Sequence, residues 1–126
     1  MRAALPPVTL LILLACLAVW NAKAIADRTE QCVAGVDEAI HFADAGDWPS
    51  VMTALSDSHR HWQSSHSYLR ITVAHSMVDA ADSMYCRALA FAETEELTEF
   101  RAETAGLRVQ LLRIAENERL CLENIF

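Results

Sequence analysis

The feature that most constrains this chain is the apolar run from Leu5 to Trp20, preceded by a single basic residue, Arg2, and followed by Lys23. A spanning helix needs roughly 20 apolar residues, whereas the apolar core of a secretory signal needs about 7–15. The strongest part, Val8 to Trp20, has signal-peptide length. Ala24-Ile25-Ala26 has the small-x-small form that signal peptidase cuts, which would leave Asp27 as a new N-terminus. Trp20 and Lys23 argue for retention instead, since an indole favours the headgroup layer and a lysine snorkels, extending the usable apolar length to Ala26. The balance favours an uncleaved signal anchor over residues 1–26, single-pass, in a cell membrane. The alternative is cleavage after Ala26 and secretion. Orientation rests on Arg2 and the N-terminal amine against Lys23 and Arg28, with Asp27 and Glu30 beside the latter, which favours the N-terminus inside and the body outside. Leu13-Leu14-Ala15-Cys16 has the form of a lipoprotein box. The chain continues apolar through Trp20, however, so Cys16 reads as a small apolar residue of a helix.

Residues 27–126 have the length of one small extracytoplasmic domain. They carry eight basic and seventeen acidic residues, a formal charge of −9. A body so charged repels nucleic acid and anionic headgroups, and no nucleic-acid partner is expected. After Pro7 the only proline is Pro49, and the chain has three glycines, a scarcity that suits helices and not a hairpin-rich sheet. The expected class is all-α. Cys32, Cys86 and Cys121 fall on separate helices without a CxxC pair; they read as small, partly buried apolar residues, with one disulfide open in an oxidising compartment.

Helical spacing organises the body into about four helices. Ile25, Cys32, Val36, Ile40 and Ala43 share a face, which predicts that the membrane helix continues into the body without a break. Gly46 is suited to the left-handed position that ends a helix, and Asp47 to capping the next, with Pro49 in its first turn. The second helix runs to about Gln63, with Val51, Leu55 and Trp62 inward; Ser64-Ser65 breaks and recaps the chain. A third helix, about 66 to 91, has the seam Ile71, Ala74, Val78, Ala81, Tyr85 and Ala88. A fourth starts near Thr94 as cap, with the seam Leu97, Phe100, Thr104, Leu107, Leu111 and Ile114. Short connections force antiparallel neighbours, hence an up-down helical bundle. No convincing internal repeat is legible.

Three groups of residues merit weighing as sites. In the histidine-rich stretch, His59 and His61 point about 160° apart on one helix, and only His59 and His66 share a face, so a metal there is disfavoured. His75, Asp79, Asp82 and Cys86 form a polar stripe at i, i+4, i+7 and i+11. An imidazole beside two carboxylates is raw material for a metal or proton site at His75, Asp79 and Asp82; an exposed helix uses the same pairing for local support, the favoured reading. The third group is the tail: Leu120, Leu122, Ile125 and Phe126 are too apolar to dangle in water, so they either pack on the bundle or contact a partner, Leu122, Ile125 and Phe126 being the contact candidates. No nucleophile–base spacing, glycine-rich phosphate loop or ExxH pair occurs, so neither an enzyme nor a cofactor is expected.

Taken together, the N-terminal apolar segment, Ala45-Gly46-Asp47-Trp48, Trp62, the His75, Asp79, Asp82 stripe and the closing Leu120-Cys121-Leu122-Glu123-Asn124-Ile125-Phe126 resemble the bacterial family catalogued as domain of unknown function 4363. The tail is the most specific piece. Cys86, Cys121 and the absence of lysine after Lys23 depart from the family's pattern. The resemblance implies a small membrane-anchored helical protein with no assigned activity. The functional expectation is an accessory or interaction module for another envelope or membrane protein; the alternative is a small metal- or proton-responsive sensor or carrier.

Overall fold

The structure, a computed structural model, describes residues 5–65 and 75–125, with the side chains of residues 21, 22, 25, 75, 118, 119 and 121–125 outside the description. Four helices follow one another in the described residues: α1 (Leu5–Asp44), α2 (Trp48–Ser64), α3 (His75–Glu93) and α4 (Leu97–Ile125). Helix α1 packs on α2 and α4, and α3 packs on the same two, so each helix has antiparallel neighbours and the expected all-α up-down bundle is what forms. The expectation that the N-terminal apolar stretch and the first body helix are one helix holds. Residues 66–74, including His66, Ile71 and Ala74 of the expected third helix, lie outside the described residues.

The core is a single cluster in which the inward seams meet, with Val36, Leu55, Trp62, Tyr85, Phe100 and Leu107 among its fully buried members. Trp62 is inward as its spacing predicted. Two helix ends explain why the hairpins turn where they do. After α1, the Asp47 N–H donates to the Phe42 carbonyl (2.9 Å) and the Gly46 N–H to the Ala43 carbonyl (3.0 Å), with Gly46 at φ +75°. After α3, Glu96 donates to Phe91 (2.9 Å) and Glu95 to Ala92 (3.2 Å), with Glu95 at φ +57°. Both are the double closure that satisfies the last free carbonyls of a helix. Asp47 caps α2 as expected, accepting from the Ser50 N–H (3.3 Å) and the Ser50 hydroxyl (2.6 Å).

Thr94 corrects the sequence reading. Its hydroxyl turns back to the Ala90 carbonyl (3.2 Å) and to the Glu96 carboxylate (2.7 Å), and α4 starts three residues later, behind Glu96, whose carbonyl takes the first helical bond from Phe100. The chain is still closing α3 at that point.

The identical turns belong to a longer correspondence that the sequence reading missed. Shifting the chain by 49 residues superposes Thr29, Cys32, Val36, Ala39 and Ala43 on Val78, Ala81, Tyr85, Ala88 and Ala92, and every one of the ten is buried. The same shift carries Val51, Leu55, Ser58, Trp62 and Ser65 onto Phe100, Thr104, Leu107, Leu111 and Ile114, again all buried. The bundle is therefore two helical hairpins in one burial register. Few residue types are shared, chiefly Phe42-Ala43 with Phe91-Ala92.

Before the bundle, α1 extends as a helix that is apolar all round and touched by little: Leu5, Leu11, Ile12 and Trp20 are 60–73 % exposed. Among the described residues no helix is long and apolar enough to cross a membrane. The stretch Leu5 to Trp20 is sixteen residues, or about 24 Å, against a hydrocarbon core of about 30 Å. The expected transmembrane signal anchor thus has no support from helix length.

Candidate functional site

Where α1, α2 and α3 meet, the core turns polar. Ser58 occupies the inward position between Leu55 and Trp62 on α2, and helix geometry delivers it to α1 at Gly35, where a Cβ would come within 2.8 Å of the Ser58 Cβ. The missing side chain lets α2 approach so closely that the Ser58 hydroxyl donates to the Cys32 carbonyl at 2.8 Å, a carbonyl already inside a helix. With its only proton committed there, Ser58 accepts from the Tyr85 hydroxyl of α3 at 2.7 Å. All three residues are buried. Under the 49-residue shift Ser58 corresponds to Leu107 and Tyr85 to Val36, so the polar pair between α2 and α3 stands where α4 and α1 carry apolar residues.

Burial fixes the protonation of this group. It pushes the Cys32 thiol from an ordinary 9.0 up to about 11, with its hydrogen-bonding contact to Tyr85 offsetting part of the rise. It pushes the Tyr85 phenol up as well, the neighbouring thiol adding to the effect. A neutral thiol and a neutral phenol, each hydrogen-bonded or packed, are poor nucleophiles, because the thiolate is the reactive form of cysteine. The trio joins helices.

Next to it, His59 lies nearly parallel to the Tyr85 ring, with centroids 4.9 Å apart and an interplanar angle of 22°. Its Nε2 is 3.9 Å from the Asp82 carboxylate, and the Trp62 indole donates to that same carboxylate oxygen at 3.0 Å. His59 is mostly buried, its side chain 15 % exposed, and Asp82 is about twice as open. The structure thereby assembles His59, Trp62 and Asp82 across α2 and α3, a grouping the sequence reading did not make. One signal was available: the seam Val51, Leu55, Trp62 skips the i+7 position, and Ser58 fills it.

Of the expected stripe His75, Asp79, Asp82 and Cys86, the three members with described side chains stand in different surroundings. Asp82 borders the buried seam of Val78, Ala81 and Tyr85 and turns to α2, whereas Asp79 lies about 60° further round the helix and is exposed, as is Cys86. The His75 side chain lies outside the described residues. No group of three potential metal ligands occurs among the described residues. Cys86 is exposed and not the partly buried residue expected; Cys16, Cys32 and Cys86 are free thiols, and Cys121 falls outside the described side chains. Of the tail, Leu120 is 47 % exposed. The side chains of the contact candidates Leu122 and Ile125, and residue Phe126 altogether, lie outside the described residues.

An open cleft of about 370 Å³ lies between α1 and α2, lined by Glu38, Phe42, Ser50, Thr53, Ala54 and Asp57. Asp57 is engaged by Arg60 of the next turn. Glu38 and Asp57 stand on its walls, and the cleft is largely open to solvent.

These features identify no reaction, but comparison with families places the chain. The model described as Domain of unknown function (DUF4363) matches residues 19–125, which takes in the last two residues of the apolar stretch and the bundle portions of all four helices. The chain belongs to this family. No curated protein and no solved structure matches it. The DUF4363 match ends within α4, so it spans the tail whose Leu-Glu-Asn-Ile pattern carried the resemblance. Membership in DUF4363 assigns no residue a role.

Proposed function

We propose that this chain is a membrane-tethered, extracytoplasmic helical bundle that serves as an interaction or accessory module for another envelope or membrane protein. The observation that carries the reading is the first half of α1. Ten large apolar side chains between Leu5 and Trp20 are exposed on every side of the helix. Such a surface is far larger than soluble proteins leave in water. A bilayer covers it at about 25 cal/mol gained per Å² buried. The stretch is short of a full span, and a short stretch is accommodated by local thinning and by snorkelling of flanking residues such as Lys23.

The placement of the body outside rests on Arg2 and the N-terminal amine at one end of the stretch against Lys23 and Arg28 at the other, with Asp27 and Glu30 beside Arg28. Within the body, the buried trio of Cys32, Ser58 and Tyr85 is neutral and spent on helix–helix contacts, which favours a binding role over a catalytic one. Fractionation with a carbonate wash tests the tether. The full-length chain is expected in the membrane pellet, and recovery of a soluble species beginning at Asp27 overturns the reading in favour of secretion.

A further inference from the structure

Resting on the tether reading above, we propose that the bundle meets the bilayer a second time, through the end of α4 around Leu120, and so stands upright on the membrane with α1 and α4 side by side at the interface. The argument begins with register. Arg101 pairs with Asp44 (Nε to Oδ1, 3.0 Å) and Arg108 with Asp37 (2.9 Å), seven residues along α4 matching seven back along α1. Twelve residues beyond Arg108 is Leu120, and twelve before Asp37 is Ile25. Five more on each helix set residue 125 level with Trp20. The end of α4 thus reaches the level at which the apolar half of α1 gives way to the bundle. There Leu120 is nearly half exposed, an apolar side chain presented to whatever surrounds Trp20 and Lys23.

Charge sets the same orientation. The two hairpin turns lie together at the opposite end, and they carry Asp44, Asp47, Glu93, Glu95, Glu96 and Glu99 with Arg101 beside them, whereas the sequence at the membrane end balances Asp27, Glu30, Glu116, Glu118 and Glu123 with Lys23, Arg28, Arg113 and Arg119. From the level of Ile25 to Asp44 is nineteen residues of helix, about 28 Å, more than twice the Debye length of about 10 Å at 0.1 M salt. An upright bundle holds this acidic end clear of the headgroups. A bundle lying on its side presses part of it against them. Further up the outer face of α4, Val109 and Leu112 are also exposed, but Glu116 separates them from Leu120 and Val109 sits about 16 Å higher, in water when the molecule is upright. Leu120 by itself is too small a patch for a stable second copy of the chain, which needs about 800 Å² per partner.

Tryptophan quenching in vesicles of phosphatidylcholine brominated near the carboxyl end of the acyl chains tests this in the full chain. Trp62 is buried and Trp48 is at the far end, so both serve as unquenched background. In the native chain, quenching of Trp20 reports the tether. In a Trp20→Phe background, Leu120→Trp is expected to lose emission to an extent approaching that of Trp20, and Val109→Trp to lose none, each with unchanged helical content. Both substitutions fall at exposed positions of a helix. If Trp20 is quenched and Leu120→Trp is not, the second contact is wrong and the tether stands. Quenching at both 120 and 109 means a bundle lying on its side, which overturns the upright arrangement. No quenching of Trp20 removes the tether and this inference with it.

Discussion

Glu95 shows how far a backbone requirement can outweigh residue preference. The turn after α3 needs a left-handed residue to free the last N–H groups for the Phe91 and Ala92 carbonyls, and Glu95 takes that conformation at φ +57° although it has a Cβ. The equivalent position after α1 is Gly46. A non-glycine residue in this region costs about 1–2 kcal/mol. Glu95→Gly is therefore expected to stabilise the protein by roughly 1 kcal/mol, after allowing for the greater freedom of glycine in the unfolded chain. Thermal unfolding of the full chain in detergent should rise by several degrees, since 1 kcal/mol is worth about 4–8 °C in a domain of this size. Gly46 is legible in the sequence because glycine advertises such a turn, and Glu95 is not because glutamate does not. Thr94 then looked like a cap, which displaced the expected start of α4 by three residues.

At the scale of helices, the spacing between α1 and α2 is decided by one absent side chain. Gly35→Ala places a methyl group 2.8 Å from the Ser58 Cβ, which has no rotamer to retreat into. The helices must part, and the Ser58–Cys32 bond of 2.8 Å lengthens with them. A cost of about 1–3 kcal/mol is expected, as for overpacking elsewhere in a core. Gly106 on α4 provides the contrast, because a Cβ there meets nothing within 4 Å. Gly106→Ala should stabilise by about 0.5–1 kcal/mol through helix propensity alone. Opposite shifts in melting temperature for the same chemical change would verify that helix proximity, and not glycine content, sets the effect; a gain from both would remove Gly35 as the determinant of that crossing.

At the scale of the whole molecule, the buried thiol and phenol make global stability sensitive to alkali. Cys32 holds its proton to about 11 when folded, against 9.0 when solvated. Between those values the unfolded chain releases its proton first, so stability is intact below about pH 9 and declines as pH rises toward 11, by roughly 2–3 kcal/mol from this one group. Tyr85, raised in the same direction, extends the decline. Melting curves across this range should show the fall, and Cys32→Ala should make it shallower whatever its cost at neutral pH. An equal slope in the variant would mean that the Cys32 thiol ionises as freely in the fold as in water.

The spacing of apolar residues determined the seams, and the short connections the antiparallel direction: Val36, Leu55, Trp62, Tyr85 and Leu107 are buried where a period of 3.6 puts them, since a helix can hide only one stripe. Scarcity of proline and glycine excluded a sheet for the same local reason. Only tertiary structure decided that Asp82 faces Trp62 and His59, and that Ser58 meets Tyr85, because which polar residue at the edge of a seam finds a partner depends on the azimuth of the neighbouring helix. The doubling of the hairpin was hidden for a related reason. Ten burial positions repeat at a distance of 49 residues, yet packing asks only for volume and apolarity at most of them, so Val36 and Tyr85 or Trp62 and Leu111 can fill equivalent places with almost no shared sequence.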